Sequence, residues 1–390
     1  MRIEEISLTN FRAFRNVRMK DVPAFCVIVG PNGSGKSTLF DAFSFLKDAL
    51  TLNVTKALAK RGGFREVITR NETGHICFEV KFRESSGKLA TYYLEITEEN
   101  GRVVVTREIL KYKRGSYGQP WKFLDFSRGE GTAVMNEQAE VAQEEDLQRE
   151  YQQLESADIL AIKGLGQFQK FRVVSEFRRL IENWHISDFH ISDARQSPEE
   201  GLAEHLSSKG ENLALVAQHL FEHHREDFDR VLEKMTRRVP GVKSVEAKPT
   251  EDGRIVLRFQ DGAFKDPFIA RHVSDGTIKM FAYLVLLHDP KPFPLLAIEE
   301  PENQLYPHLL RELAEEFSQY AKRGGQVFVS THSPDLLDAL ELEQIYSLTK
   351  KNGCTEIHRL ADDESLRALV KEGDLPGTLW RQKLIGGNLG

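Results

Sequence analysis

A glycine-rich run at residues 30–38 constrains the fold of this chain more than any other feature. It reads Gly-Pro-Asn-Gly-Ser-Gly-Lys-Ser-Thr and fits the pattern G-x-x-x-x-G-K-[ST]. The preceding stretch, Phe25–Val29, is continuously apolar, as is typical of a buried parallel strand, and the following apolar residues recur at helical spacing. Glycines let such a loop curl its N–H groups around phosphate oxygens, and the helix start adds partial positive charge. The sequence therefore predicts a strand, a loop and a helix that bind a nucleoside triphosphate.

Individual residues of this loop have predicted roles. Lys36 neutralises phosphate oxygens, and the Ser37 hydroxyl holds Mg²⁺. The predicted nucleotide-binding residues of the loop are Asn32, Gly33, Gly35, Lys36, Ser37 and Thr38.

Composition places the chain among ordinary globular proteins. It has 390 residues, of which 40% are hydrophobic and 29% charged, and these suffice for one large domain or two modest ones. A net charge of −6 does not predict a nucleic-acid binder. The three cysteines lack metal-ligand spacing, which favours reduced thiols. No apolar run is long enough to cross a bilayer and the start lacks a signal-peptide pattern, so we expect a cytoplasmic protein.

Periodicity outlines the remaining elements. A short strand is predicted at Ile3, Ile6 and Leu8, a helix at residues 38–60, and antiparallel strands between residues 76 and 113. Residues 136–158 are rich in Glu and Gln, which predicts an exposed helix or loop without chemistry, and residues 168–238 are mainly helical in pattern. Further predictions are a hairpin turning at residues 251–253, buried strands at 295–298 and 327–329, and a hairpin over residues 344–360.

These patterns divide the chain into three predicted segments. Residues 1–115 form the first part of an α/β core with an antiparallel β subdomain, residues 116–260 a mainly helical insertion or lid, and residues 261–390 the second part of the core.

A second candidate site lies at Val273–Thr277, directly before an apolar helix. Ser274 is in the N-cap position and Gly276 follows, so unpaired N–H groups at the helix start form an anion site. Ser-x-Gly before a helix is more often only a cap, which remains the alternative.

Two carboxylates and a histidine follow buried strands. Glu299 and Glu300 lie at the predicted tip of strand 295–298, where ligands bind in open α/β sheets. Glu299 would reach Mg²⁺ through water, and Glu300 would orient or deprotonate an attacking water. His332 ends the strand 327–329, where it could contact a γ-phosphate. The alternatives are an acidic loop that caps a strand and a structural histidine.

The order of these motifs resembles the ABC-type ATPases of the SMC, RecF and OLD branch, especially the compact predicted AAA-family ATPases grouped as RecF-like or AbiEii/OLD-like. Residues 6–14 resemble the opening strand of that branch, whose Phe-Arg pair places Arg12 near the nucleotide. The other matches are Val273–Thr277 with the ABC signature, Glu299 and Glu300 with the end of Walker B, Asn303–Pro307 with the D-loop, and His332 with the switch histidine. The resemblance covers roughly the first fifth and the last third of the chain.

The resemblance implies a P-loop NTPase fold, like an ABC ATPase or SMC head, with an antiparallel β subdomain and a helical insertion. It also implies ATP and Mg²⁺ as cofactors and a homodimer with two sandwiched ATP molecules. Lys36 and Glu300 of one copy would face Ser274 and Gly276 of the other, and hydrolysis would loosen the dimer. Implied partners are DNA or a separately encoded effector nuclease in DNA repair or phage defence, without a membrane.

Three departures qualify the resemblance. Glu299 occupies the position of the usual Asp, no glutamine after Lys60 marks a Q-loop, and the chain after His332 is too short for a TOPRIM domain, so we expect no nuclease activity of its own. The basic residues Arg61, Arg65, Arg70, Lys111, Lys113 and Arg114 are candidate phosphate contacts, with solvated surface as the alternative. The alternative function is the ATPase subunit of a membrane transporter. A GTPase is disfavoured because no N-K-x-D motif follows the loop, and a structural protein with a relic loop is disfavoured because Lys36, Ser37, Glu300 and His332 occur together.

Overall fold

A computed structural model describes residues 1–83, 87–113, 119–135 and 143–386. The chain divides into two compact units, Met1–Trp184 with Glu341–Gly390 and His185–Leu340. These units differ from the three predicted segments. Arg114 and residues 136–142, on which the sequence analysis drew, lie outside the described residues.

The first unit begins with a long series of strands and short helices. In chain order they are β1 Arg2–Phe11, β2 Phe14–Met19, β3 Phe25–Val29, α1 Lys36–Thr51, α2 Val54–Ala59, α3 Phe64–Val67, β4 Ile76–Arg83, β5 Leu89–Glu99, β6 Arg102–Tyr112, β7 Trp121–Ser127, β8 Glu130–Val134, β9 Arg149–Gln153, α4 Ala161–Leu165 and α5 Arg172–Glu182.

The second unit and the C-terminal part of the first complete the order. The elements are β10 Trp184–Ser187, α6 Ile191–Ala194, α7 Leu213–His223, α8 Arg225–Arg238, β11 Val242–Pro249, β12 Ile255–Asp261, β13 Phe268–Ile269, α9 Asp275–Leu287, β14 Leu295–Glu299, α10 Pro307–Lys322, β15 Gln326–Thr331, α11 Pro334–Leu337, β16 Ile345–Lys351, β17 Cys354–Arg359, α12 Glu364–Lys371 and α13 Pro376–Arg381. None of the described helices is long and apolar enough to cross a membrane.

An eight-stranded antiparallel sheet in the first unit has the order β2-β1-β4-β5-β6-β7-β8-β9. Alternation is clear in β4, where Ile76, Phe78, Val80 and Phe82 are buried. The antiparallel strands predicted between residues 76 and 113 are therefore confirmed. The sheet also contains β7, β8 and β9. These three strands lie within residues 116–260, where a mainly helical insertion was predicted.

The prediction of an exposed helix or loop over residues 136–158 was wrong for Arg149–Gln153. These residues form the edge strand β9, which pairs with β8 from Val134 opposite Arg149. Hydrogen bonding along a neighbouring strand satisfies the backbone whatever the side chains are, and β9 has no buried residue that would mark it in the sequence.

The helix after the glycine-rich loop is also shorter than predicted. α1 ends at Thr51 and a second helix, α2, begins at Val54. The break lies at Asn53, whose side chain accepts a hydrogen bond from the Lys56 N–H and so caps α2. The predicted apolar stripe of α1 is buried, at Leu39, Phe40, Phe43, Leu46 and Leu50.

The strand that leads into the loop, β3, is buried along its whole length. β16 pairs with it in parallel, with Ile345 opposite Val27, and β17 returns antiparallel to β16. Asn352 and Gly353 adopt positive φ angles of 51° and 81° at the turn, as the predicted hairpin requires.

In the second unit, β14 and β15 run parallel, with Leu295 opposite Gln326 and Glu299 opposite Ser330. Their carboxyl ends therefore meet at one edge. β11, β12 and β13 form a separate antiparallel sheet that contains the hairpin predicted around residues 251–253. The helix α9 is buried from Ile278 to Leu287.

Candidate functional site

Two glycines of the residue 30–38 loop lie against backbone or side chains that leave no room for a Cβ. A Cβ on Gly30 would lie 2.5 Å from the Leu348 carbonyl oxygen, and one on Gly35 would lie 2.6 Å from Thr355 Oγ1. Gly35 also has a φ of 103°, which favours glycine. Gly33 has a φ of 76° with open space around it, so its requirement is conformational.

Lys36 is the first residue of α1 and is buried. Its Nζ donates to the carbonyl oxygens of Gly30 at 2.9 Å and Pro31 at 3.3 Å, so the ammonium group lies inside the curl of the loop. Thr355 Oγ1, from β17, donates to the Ser34 carbonyl at 2.7 Å and holds the loop from behind.

The start of α1 has the features that an anion site requires. Its N-cap is Gly35, which has no capping side chain, and its first turn carries no acidic residue. The first N–H groups of a helix have no partner within the helix, and the helix dipole is positive there. Asn32, Gly33 and Ser37 are exposed beside this end, and Thr38 is half-buried.

Arg12 lies on the turn between β1 and β2, with a φ of 50°. Its backbone N–H donates to the Val67 carbonyl at 2.6 Å, and its Nε lies 2.6 Å from Asp41 Oδ2. Asp41 follows Ser37 by four residues and so shares its face of α1. The structure therefore brings Arg12 to the helix that begins at the loop.

Arg61 is neither a free phosphate contact nor a solvated residue, as the sequence analysis had considered. Its side chain is 6% exposed and contacts Asp41 at 2.6 Å and Asp48 at 2.9 Å. Two carboxylates thus pair with this buried guanidinium inside the first unit, so Arg61 does not contact phosphate.

The strand-end carboxylates and the histidine come together in the second unit. Glu299 is the exposed last residue of β14, and Glu300 follows with a φ of 45° while its N–H donates to the Ser330 carbonyl at 3.0 Å. Glu300 Oε2 accepts from Asn303 Nδ2 at 3.1 Å, and Oε1 lies 3.1 Å from His332 Nε2. Both side chains are about one-third exposed, so Glu300 and His332 are accessible to solvent.

Sequence reasoning gave no positioning role to Glu302, which shapes the histidine segment. Its Oε1 accepts from the His332 N–H at 2.6 Å and from Thr331 Oγ1 at 2.8 Å. The signal in the sequence was a third carboxylate directly after Glu299, Glu300 and Pro301.

Lys279 was also missed. It is buried on α9, and its Nζ donates to the Asn303 carbonyl at 2.7 Å. Burial lowers the pKa of Lys279 to about 8, although Glu302 and Glu300 act in the opposite direction. The sequence signal for a buried lysine was the position of Lys279 within the otherwise apolar run of residues 278–287.

Ser274 caps α9 as predicted. Its Oγ accepts from the Thr277 N–H at 3.3 Å and shares a hydrogen bond with Thr277 Oγ1 at 2.7 Å. A Cβ on Gly276 would lie 2.9 Å from the Gln304 carbonyl oxygen, so the helix start packs directly against the loop after Glu300. Ser274 itself is exposed.

The two groups of residues carry complementary chemistry. The loop of the first unit offers N–H groups and an ammonium group to phosphate oxygens, and Ser37 adds a hydroxyl. The second unit offers a carboxylate, Glu300, held by an amide and an imidazole, which suits it to orient water. The oxygens of Ser37 and Glu299 are the kind of ligand that Mg²⁺ prefers.

Comparison with known proteins gives a family match over most of the chain. The family AAA_21, described as "AAA domain, putative AbiEii toxin, Type IV TA system", matches residues 25–338. The chromosome partition protein Smc of Methanococcus voltae is 43% identical over 68 residues, which are 17% of this chain and 5% of that protein. The DNA replication and repair protein RecF of Rickettsia rickettsii is 27% identical over 116 residues, 28% of this chain and 30% of that protein. The chain thus spans a minor part of these relatives.

Solved structures show the same fold at low identity. An Smc head bound to the C-terminal winged-helix domain of ScpA superposes with a TM-score of 0.55 and 16% identity, covering 92% of this chain and 98% of that one. An Smc head with an extended coiled coil, bound to a ScpA domain derived from Pyrococcus furiosus, gives 0.54 and 15% identity, covering 95% and 99%.

Proposed function

Because the chain belongs to the AAA_21 family, we propose that it is an ATP-driven switch in which two copies close around ATP. The chain is an ABC-type ATPase of the SMC and RecF branch, and its fold is that of a P-loop NTPase of the SMC-head kind.

The observation that carries the proposal is the exposed start of α9. Ser274 caps this helix while it stays accessible, and Gly276 keeps the helix start in contact with the loop that follows Glu300. A helix start with a serine and a glycine binds a phosphate group that is brought to it. In the proposed dimer that group is the γ-phosphate of the ATP bound by the other copy.

The residues of the loop have the roles expected from their chemistry. We assign phosphate binding to Lys36, the N–H groups of residues 32–38 and Arg12, and Mg²⁺ ligation to Ser37 and Glu299. Mg²⁺, when bound, neutralises charge on the phosphate oxygens. Glu300 accepts the proton of the attacking water, and His332 holds Glu300 and contacts the γ-phosphate.

DNA or a separately encoded effector, such as a nuclease in DNA repair or phage defence, is the proposed partner. The relatives are named for chromosome partition and for DNA replication and repair, and the Smc heads above were solved with ScpA domains. Salt-sensitive binding to DNA would favour a clamp, because phosphate contacts release counterions. Binding to a protein without DNA would favour an effector.

The test is the mass in solution of Glu300→Gln with and without Mg²⁺-ATP, measured by light scattering on a size column. We expect conversion from monomer to dimer only with ATP, and hydrolysis lower by about two to four decades, because the water loses its base. Glu315→Gln, at an exposed position on α10, is the control and should hydrolyse ATP normally.

Two results would count against the proposal. A mass in solution that is the same with and without Mg²⁺-ATP would exclude the ATP-driven dimer switch. Normal hydrolysis by Glu300→Gln would move the base to another residue, with Glu302 next.

A further inference from the structure

We propose that a cavity in the second unit binds a small molecule that carries at least two phosphate groups. The cavity has a volume of about 880 Å³ and contains four arginines, Arg195, Arg254, Arg258 and Arg271. We call it the arginine pocket. None of these four arginines is among the residues proposed to bind or hydrolyse ATP.

The alternation of β12 creates one wall of the arginine pocket. Ile255, Leu257 and Phe259 are buried on one face of the strand, so Arg254 and Arg258 point to the other. The two arginines are four residues apart, which is roughly 13 Å along a strand. At that backbone spacing, a chain of phosphates or a ligand with separated phosphates can engage each guanidinium group with its own phosphate.

The charge in the pocket is unbalanced. Among the described lining residues the one carboxylate is Asp252, which lies 3.6 Å from Arg254 Nε. The Nε atoms of Arg195 and Arg258 are buried and have no hydrogen-bond partner among the described residues. A buried Nε–H group without an acceptor is costly, and a phosphate oxygen that accepts from it removes that cost.

The volume and the other lining groups favour a small molecule over a nucleic acid. The volume lies in the range of small-molecule pockets, about 300 to 1,000 Å³. The Ser192 hydroxyl offers a further donor, and Val256 with Ile269 offers an apolar patch. Arginine matches phosphate geometry with paired N–H groups. A nucleoside polyphosphate or an inorganic polyphosphate meets all these requirements.

Arg195 connects the pocket to the start of α9. It lies 2.7 Å from Asp275 Oδ1, and its Nη2 also donates to the Val273 carbonyl. A ligand phosphate that engages Arg195 competes with Asp275 and loosens the segment that carries Ser274. Occupancy of the arginine pocket therefore lowers the fraction of ATP-bound dimer. This coupling rests on the proposed function, whereas ligand binding to the pocket does not.

The binding test uses tripolyphosphate and calorimetry in the Lys36→Ala background, which removes the main competing phosphate site. We expect binding there, and binding about tenfold to a hundredfold weaker when Arg254→Gln and Arg258→Gln are added. Arg230→Gln with Arg237→Gln, two exposed arginines on α8, makes the same charge change elsewhere and should leave the affinity unaltered. Melting temperatures establish that each variant is folded.

Three outcomes would overturn the proposal. The first is equal affinity in the pocket variant and its parent, and the second is no binding of tripolyphosphate at all. The third is binding of a single-stranded oligonucleotide that needs Arg254 and Arg258 while tripolyphosphate does not bind, which would make the cavity a nucleic-acid contact.

The coupling is tested separately in the Glu300→Gln background with saturating ATP. Tripolyphosphate should lower the dimer fraction, and the Arg254→Gln, Arg258→Gln pair should remove that effect. If tripolyphosphate still lowers the dimer fraction in the Arg254→Gln, Arg258→Gln variant, the coupling is refuted. The effect would then arise from tripolyphosphate bound at the residue 30–38 loop. If Glu300→Gln forms no dimer with ATP, the proposed function fails, and the calorimetric result still decides the pocket.

Discussion

Single glycines decide how closely the segments of this molecule approach each other. Gly276 has an ordinary φ, so glycine is required there for lack of space. A Cβ at this position would lie only 2.9 Å from the Gln304 carbonyl oxygen. That distance is shorter than real Cβ atoms tolerate, and a backbone carbonyl cannot rotate away as a side chain does. The spacing between α9 and the loop after Glu300 therefore depends on one missing methyl group.

Gly276→Ala should lower the ATPase rate about tenfold to a hundredfold, because displacement of the proposed catalytic segment by a fraction of an ångström misaligns the reacting groups. Affinity for ATP in the monomer should stay unchanged, since the binding loop is elsewhere in the chain. Steady-state hydrolysis and nucleotide titration measure the two quantities. Gly262→Ala is the control, because its nearest atom lies 4.0 Å away. Equal rates in both variants would show that the contact is unimportant.

Helices of the second unit are joined by a buried ionic cluster around Glu316 of α10. Its carboxylate contacts Lys234 at 2.6 Å and Arg238 at 2.5 Å, both on α8, and His288 at 3.3 Å just after α9. Burial alone would raise the pKa of Glu316, but the hydrogen bonds with His288, Lys234 and Arg238 outweigh it and lower the pKa to about 2. The cluster therefore depends on the ionised carboxylate.

Glu316→Gln should reduce the free energy of unfolding by about 3 kcal/mol at neutral pH, because two cations lose a buried partner. The folded pKa lies below the ordinary value of 4.5, so the stabilisation is present above pH 4.5 and is lost as the pH falls toward 2. Denaturant unfolding of both proteins at several pH values measures this, and the difference should narrow below pH 4.5. The neighbouring exposed Glu315→Gln should change stability little. A constant difference across pH would mean that ionisation is not its source.

The molecule as a whole places its candidate chemistry on separate compact units. The glycine-rich loop and Arg12 belong to the first unit, and Glu300, His332 and Ser274 belong to the second. In the proposed dimer, each ATP takes its loop from one copy and its Ser274 from the other. Two inactive variants with lesions in different units should therefore complement each other.

Lys36→Ala and Ser274→Arg should each abolish hydrolysis, the first through loss of the loop cation and the second through obstruction of the helix start. An equal mixture should recover about a quarter of the wild-type rate, because half of the dimers are mixed and each has one intact site. Hydrolysis measured across mixing ratios gives the result. A mixture of Lys36→Ala with Glu300→Gln serves for comparison. Absence of recovery with Ser274→Arg, despite stable mixed dimers, would contradict shared sites.

Local patterns were enough to predict the loop, the buried strand before it, the capped start of α9 and the hairpin of β16 and β17. Each depends on residues close in the sequence: glycines where φ is positive, a serine at an N-cap, or Asn352 and Gly353 at a tight turn. The backbone preferences of these residues act over a few positions, so the linear order of residues carries the information.

Contacts between distant segments settled the rest. Thr355 reaches Ser34 across more than three hundred residues, Arg61 is neutralised by Asp41 and Asp48, and Glu302 holds the His332 segment. The polar strand β9 exists because β8 offers it hydrogen bonds. Such pairings depend on which surfaces meet after folding, and no local sequence pattern identifies the two partners. The chemistry of each group could thus be predicted from its neighbours along the chain, but its burial, charge balance and orientation follow from neighbours in space.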